Sequence, residues 1–428
     1  MKVSIISKIA FVLVLVTLAN IALMAQSIIK PRVLISTDIG GTDPDDNQSM
    51  IHLLMYANLF QIEGLVSTAF KGGSVANIQA MLDLYEQDRE KLAKQDNGFP
   101  LTEKLRSITK QGARNAAPYQ GFSTPTEGSN WIIGTAKKSS ESPLWILVWG
   151  GLEDLAQALH DEPSIKKNIR VYWIGGPNKK WGTNAYTYIA QNHPDLWFIE
   201  NNATYRGWFS DYASPDSLKG KSYYGNYIKG QGQMGVDFLN YYKGEVKMGD
   251  TPSLAYLIFG NPEDPTGESW GGSFEKIQRS ARHLFKGNSS ITDTVATYAI
   301  LEWSFKGPEL AIPKDSACFS INISGQKWPG YYLGKGIYSV RYSPKQVETG
   351  TYITESKILA LNGLQGKYVA VNPWPGKPNK SDFKLGSSWY SDQVSKELFI
   401  GEYQGAQTIS KHRKAFLLDW AKRWEWLK

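Results

Sequence analysis

The chain has 428 residues, 42% of them hydrophobic and 20% charged, a globular composition long enough to enclose more than one core. The formal charge of +7 is spread thinly, with Lys179-Lys180 and Lys411-His412-Arg413-Lys414 as its densest clusters, so nucleic acid is excluded from the expected partners. A single cysteine, Cys318, excludes an intrachain disulfide and leaves packing to supply stability.

Residues 1–25 read as a secretory signal peptide: Lys2 and Lys8 precede an apolar run, Ile9 to Val16, too short to span a bilayer, and Leu23-Met24-Ala25-Gln26 closes it. Export to the periplasm or beyond is expected, with no membrane association after cleavage. Next, Val33-Leu34-Ile35-Ser36-Thr37 predicts a buried strand, and directly behind it Asp38-Ile-Gly-Gly-Thr-Asp43-Pro-Asp45-Asp46 packs four carboxylates into nine residues. Uncompensated like charges raise one another's pKa, so such a cluster calls for a cation or a polyhydroxylated ligand. Met50, Leu53, Leu54 and Ala57 follow at helical spacing. The acidic loop therefore joins a strand to a helix, where ligands bind in an open α/β sheet. Asp45 with Gln48 also fits a helix capping box. An EF-hand lacks its terminal Glu and a P-loop its Gly-Lys-Ser/Thr.

Further strands are predicted at 62–68, 145–149, 169–174 and 196–200, and helices at 46–58, 74–87, 152–161 and 184–191. This alternation predicts a mostly parallel sheet with flanking helices over residues 26–282. From 283 to 372 the pattern changes to short strands at 293–305, 317–323, 336–342, 351–353 and 367–371, broken by Gly, Pro and Asn, which predicts a β-sandwich. Residues 373–428 return to helix, where Phe416, Leu417, Trp420, Ala421, Trp424 and Leu427 form one apolar stripe. The β module thus reads as an insertion into one α/β domain. Among the aromatics, Trp181 and Trp270 stand in Gly-rich loops and are candidates to face a ligand, whereas Trp420 and Trp424 follow helical spacing and read as packing. The five histidines form no zinc set, and no Gly-x-Ser-x-Gly elbow is present.

The Asp38 strand end, the Gly40-Gly41 turn and the Asp45-Asp46 helix start resemble the calcium-binding motif of the nucleoside hydrolase superfamily. The closer resemblance is to its secreted bacterial branch, some members of which are labelled cellulose-binding. Trp145 to Ala156 is similar to the superfamily's strand followed by Gly-Pro-Leu-Thr-Asn, and Met248-Gly249-Asp250-Thr251-Pro252 to its last Asp ligand at a helix start. The Ile174-Gly175-Gly176 turn matches a strand end lining the same pocket, with Asn178 and Asn184 beyond it to reach sugar hydroxyls. The inserted module resembles immunoglobulin-like modules of polysaccharide-processing proteins. The resemblance implies a Ca2+ ion held by Asp38, Asp46, Asp250 and the Glu153 carbonyl, Asp38 as the base that deprotonates water, and Asp45 on the ring hydroxyls of a nucleoside-like or carbohydrate substrate. Two departures stand out. Gly249 occupies the position where nucleosidases often carry a histidine tied to leaving-group protonation, and no sugar-binding Asn is evident in residues 67–73. The expected activity is calcium-dependent hydrolysis of glycosidic bonds, N-glycosyl by resemblance. The alternative is a noncatalytic carbohydrate-binding protein using the same pocket.

Overall fold

The computed structural model describes residues 30–68, 73–210 and 214–428. The expected signal peptide lies outside them, as do residues 69–72 of the segment 67–73 in which no sugar-binding Asn is evident. The strands of the first part are β1 (Arg32–Thr37), β2 (Gln61–Ser67), β3 (Thr109–Gln111), β4 (Leu144–Trp149), β5 (Ile169–Ile174), β6 (Phe198–Asn201) and β7 (Phe274–Lys276). Those of the second part are β8 (Arg279–Ser280), β9 (Arg282–Lys286), β10 (Thr294–Ala296), β11 (Ile300–Lys306), β12 (Ser316–Ile323), β13 (Gln326–Gly334), β14 (Ile337–Tyr342), β15 (Glu348–Glu355) and β16 (Gln365–Val371); β17 (Phe383–Lys384) and β18 (Trp389–Asp392) follow.

The first sheet has the order β3-β2-β1-β4-β5-β6-β18-β7 and is parallel except at the β7 edge. Both faces are covered, as a parallel sheet requires. Along β4 the side chains alternate: Leu144, Ile146 and Val148 enter the core on one face, Trp145, Leu147 and Trp149 the core on the other. The chain runs outward from β1 to β2 and β3, then restarts at β4 on the opposite side of β1. The β1/β4 junction is thus the topological switch point, where the strand ends leave a crevice.

The helix at Val75–Gln95 outruns the expected 74–87 because its buried face continues past Tyr85 through Asp88 to Leu92. Asp88 looks like a break in the apolar stripe, yet its carboxylate accepts from the backbone N–H of Gln233 (2.9 Å) and Met234 (2.8 Å). The C-terminal stripe is buried as expected, Phe416 to Trp424 on the helix Arg413–Trp424 and Leu427 on the 3-10 turn Glu425–Leu427 that follows; a separate short helix, Gln407–Ser410, precedes them. Phe416 stacks on Trp208 with centroids 3.7 Å apart, and Tyr56 Oη donates to Asp419 at 2.6 Å. This segment closes the first core.

The second sheet has the order β10-β16-β15-β12-β13-β14-β11-β9. The expected single strand at 293–305 breaks at Tyr298, whose φ is 61°, and becomes β10 and β11. Only residues 297–299 join them, a reach of about 15 Å, yet six strand intervals separate them in the sheet, about 29 Å if it were flat. The sheet therefore curls back on itself, a barrel-like closure of the expected sandwich. β13 was not expected, since Pro329-Gly330 reads as a turn; here Pro329 pairs with Ser320 inside the sheet. β18 follows the second sheet in sequence but pairs with β6 in the first.

Candidate functional site

At the switch point, β1 ends in Thr37 and projects Asp38 into the crevice. Thr37 Oγ1 donates to the Asp46 carboxylate and accepts from the Ile39 N–H (3.1 Å), tying the strand end to the following helix. That helix, Asp45–Met55, opens with both carboxylates in its first turn, where the positive dipole end favours them. No side chain caps it, and Gln48, the expected capping-box partner, does other work. Its Oε1 accepts from the N–H groups of Lys247 (2.9 Å) and Met248 (3.0 Å), and its Nε2 donates to Glu245 O (2.7 Å). Gln48 thereby docks the loop that carries Asp250 against the Asp45-Asp46 turn.

Asp250 precedes the helix Thr251–Ile258 and is held from below: Trp149 Nε1 donates to Ser253 Oγ (2.7 Å), which donates to Asp250 O (2.8 Å). Two glycines allow the close approach. A Cβ on Gly150 would meet Asp38 Cγ at 2.8 Å, and one on Gly249 would meet Asp45 Oδ2 at 2.3 Å.

The result is a group of carboxylate oxygens from Asp45, Asp46 and Asp250 within 4.8 Å of one another, with the Asp38 carboxyl beside that of Asp46. Burial, reinforced by Asp45 and Asp43, pushes the Asp38 carboxyl up to about 7. Burial does the same to Asp45, about 7, against the pull of Lys247. Asp46 and Asp250 lie well above the usual range, first from burial, then from Asp250 and Asp38 on Asp46 and from Asp45 and Asp38 on Asp250. Asp250 Oδ2 is buried without a hydrogen-bond partner. A buried carboxylate oxygen with no donor is costly unless a cation compensates it, so this all-oxygen donor set fits a hard divalent ion.

The group forms the acidic wall of a cavity of about 490 Å³. Trp149, Ile174, Tyr205 and Phe209 supply apolar surface, and Lys247 bonds to Asp43 while standing 3.7 Å from Asp45 Oδ2. Asn178 and Trp181 line the cavity from the short helix Gly176–Trp181, which a fully buried ion pair, Lys179 Nζ to Glu200 at 2.6 Å, anchors to β6. The second sheet contributes Gln326 and Lys345.

The model of the family described as cellulose-binding Sde182, nucleoside hydrolase-like domain, matches residues 32–274. The chain belongs to this family. A second model, a domain of unknown function, matches residues 294–357. No curated protein matches the chain. Among solved structures it is similar to a nucleoside hydrolase-related hypothetical protein from Saccharophagus degradans associated with carbohydrate metabolism, with 18% identity over 80% of this chain and 99% of that one (TM-score 0.49). It is also similar to an inosine-uridine preferring nucleoside hydrolase from Bacillus anthracis, with 16% identity over 59% and 86% of the two chains (TM-score 0.38).

In this nucleoside hydrolase-like domain, Asp38, Asp45, Asp46, Asp250, Asn178 and Trp181 all meet at the cavity. The Asn178 amide nitrogen is committed to Ile174 O at 2.9 Å, leaving its oxygen for a ligand. Glu153, expected to offer its backbone carbonyl to the cation, does not line the cavity. Its side chain is buried behind Asp38, burial first and then Asp154 pushing it up to about 8, with Oε2 unpartnered. Asn184, expected at the sugar, is a bracket between the two sheets instead: its Nδ2 donates to Ala117 O (3.1 Å) and its Oδ1 accepts from Arg341 (3.2 Å). Trp270, also expected at a ligand, stacks on Phe259 at 5.2 Å and faces Phe416 of the C-terminal helix. Its Gly-rich loop is a site of close packing: a Cβ on Gly271 would meet Pro252 O at 2.2 Å. Sequence reasoning missed Lys180 and Lys247, which adjoin motif residues without belonging to the motifs, and Tyr205, Arg206, Gln326 and Lys345, whose segments carry no local motif.

Proposed function

We propose that this protein is an exported, calcium-dependent hydrolase of glycosidic bonds, acting on N-glycosyl or related sugar substrates. The observation that carries the reading is the unpartnered Asp250 Oδ2 among clustered carboxylates at the wall of an open cavity. Calcium would be held by Asp46 and Asp250, with Asp38 or Asp45 completing the protein donors, and when bound it supplies positive charge that orients sugar hydroxyls and acidifies water.

Asp38, at the strand end beside the carboxylate cluster, would take the proton as water attacks the anomeric carbon. Asp45 accepts hydrogen bonds from ring hydroxyls. The carboxylates together favour the positive charge that develops on the sugar in an oxocarbenium-like transition state more than they favour the ground state, which is what lowers the barrier. The apolar surface of Trp149, Tyr205 and Phe209 packs against the sugar and excludes water. Asp38→Asn keeps the shape but removes the base, and turnover of susceptible nucleosides or glycosides falls by about 10² to 10⁴ while ligand binding persists.

The noncatalytic reading is favoured by one observation. Gly249 puts no side chain beside Asp45 that could protonate a leaving group. A wild type that binds sugars with calcium but releases no product from nucleosides or oligosaccharides establishes that reading and overturns the first.

A further inference from the structure

The wall of the cavity away from the carboxylates is cationic. Lys180, Arg206 and Lys345 line it, and none of the three forms an ion pair with a carboxylate among the described residues. Lys180 is 92% buried, with an exposure of only 8%, and its Nζ donates to the neutral Gln326 Oε1 at 2.6 Å. The rings of Trp181 and Trp328, with centroids 5.2 and 4.9 Å from that Nζ, stack on each other and flank it. The carboxylate whose field reaches it, Glu348, is already bonded to Tyr368 Oη at 2.7 Å. Burial and then Lys345 push the Lys180 ammonium below its ordinary pKa, so a like charge stands close where a counter-ion is expected.

Arg206 is arranged in the same way. Its guanidinium bonds to Asn202 O (3.3 Å) and Tyr298 Oη (3.4 Å) and lies over the rings of Tyr205 and Tyr403, all without formal charge. Arg206 and Lys345 also line a second, smaller cavity of about 210 Å³ with Thr297, Asn372 and the carboxylate-bearing Glu402, which forms no ion pair with either among the described residues. A buried cation is normally paired or aimed at a ligand, and here the buried Lys180 and the part-buried Arg206 and Lys345 converge on one opening.

We propose that this wall is an anion subsite, and that the ligand held at the acidic wall by its sugar carries an anionic substituent, a carboxylate or a phosphate ester, received by Lys180, Lys345 and Arg206. This substrate class rests on the glycoside-binding reading of the same cavity. The carboxylates with their cation take the neutral hydroxyls, and the second sheet, through Lys345 and the Gln326 that positions Lys180, adds selection for charge. An acidic saccharide and a nucleotide present the same chemistry.

The test measures binding to calcium-loaded full-length protein by titration calorimetry with two matched pairs: trigalacturonate against its methyl ester, and inosine 5′-monophosphate against inosine. At least one anionic member should bind about 10- to 100-fold tighter than its neutral partner, the range expected of charge-assisted hydrogen bonds. The preference should shrink as salt rises from 0.05 to about 0.5 M. It should fall toward parity in Lys345→Gln, a half-exposed position that tolerates the change, and in Lys180→Gln. Which pair shows the preference identifies the source of the anion. Equal affinities within both pairs, or a preference that survives both substitutions, overturn the anion subsite and leave the hydrolase reading standing. Failure of all four compounds to bind overturns both.

Discussion

At the scale of single residues, the site depends on what is absent from Gly249 as much as on its acids. A methyl group there would meet the mobile end of the Asp45 side chain at 2.3 Å, and a carboxylate can swing aside at little cost to the fold. Gly249→Ala should therefore melt within a degree or two of wild type in the presence of chelator, while its calcium affinity falls about 10- to 100-fold, as when a group orienting a metal ligand is lost. Calorimetric calcium titration checks this, and unchanged affinity would remove Asp45 from the metal centre. His52 makes a different residue-scale prediction. It stacks on Tyr56 at 4.5 Å, meets the edges of Trp208 and Trp420, and leaves Nδ1 buried without a partner. Burial, aided by Arg423, lowers its pKa to about 3; Asp419, the nearby acid, is bonded to Tyr56. A folded pKa below the unfolded 6.5 means that the unfolded chain takes up the proton first. The contribution to stability is complete above pH 6.5 and is lost as pH falls toward 3, about 1.4 kcal/mol of it by pH 5.5. Melting curves at pH 7.5 and 5.5 should show a smaller acid-induced drop in His52→Phe than in wild type.

At the scale of elements, the C-terminal segment decides whether the first core is closed. Phe416, Leu417, Trp420 and Trp424 are buried, and the Tyr223 hydroxyl donates to Leu417 O at 2.7 Å. Removing residues 405–428 would uncover these side chains, each worth about 1.5 to 3 kcal/mol when buried, which together are comparable to the whole margin of a typical domain. The truncated protein should be insoluble, and the milder Trp420→Ala should lose about 3 to 5 kcal/mol in denaturant titration. A soluble truncation with a normal melting curve would contradict this account. These helices and the β1-loop-helix unit were legible in the sequence because their signals are local: a 3.6-residue apolar stripe, and an apolar run followed by acids and glycines. β13 was not legible, because Pro329-Gly330 carries a turn signature that neighbouring strands override.

At the scale of the whole molecule, two sheets meet over one cavity, and the charge distribution across it is divided. Carboxylates come from the switch point of the first sheet, and cations from the helix at Gly176–Trp181, the segment after β6 and the second sheet. A cation that binds only the folded carboxylate cluster stabilises the whole chain by mass action, about 2.7 kcal/mol at a hundredfold excess over Kd. Calcium should raise the melting temperature at neutral pH, EGTA should reverse the shift, and Asp250→Asn should abolish it. Absence of a shift in wild type would mean that the acids serve no metal.

By itself the sequence determined the alternation of strands and helices, the change to short strands near residue 283 and the acidic turn at Asp38, since each is written within a dozen contiguous residues. Only the tertiary structure decided which side chains share the cavity. Asn184 and Trp181 stand three residues apart, yet one braces the second sheet and the other faces the cavity. Trp270 shares the Gly-rich setting of Trp181 but is taken up by packing against Phe259 and Phe416. Lys180, on the short helix after β5, and Lys345, in the loop between β14 and β15, come together from distant parts of the chain. Whether a charge or a ring in a loop meets ligand, partner or core depends on atoms contributed from more than a hundred residues away, and no local periodicity carries that information.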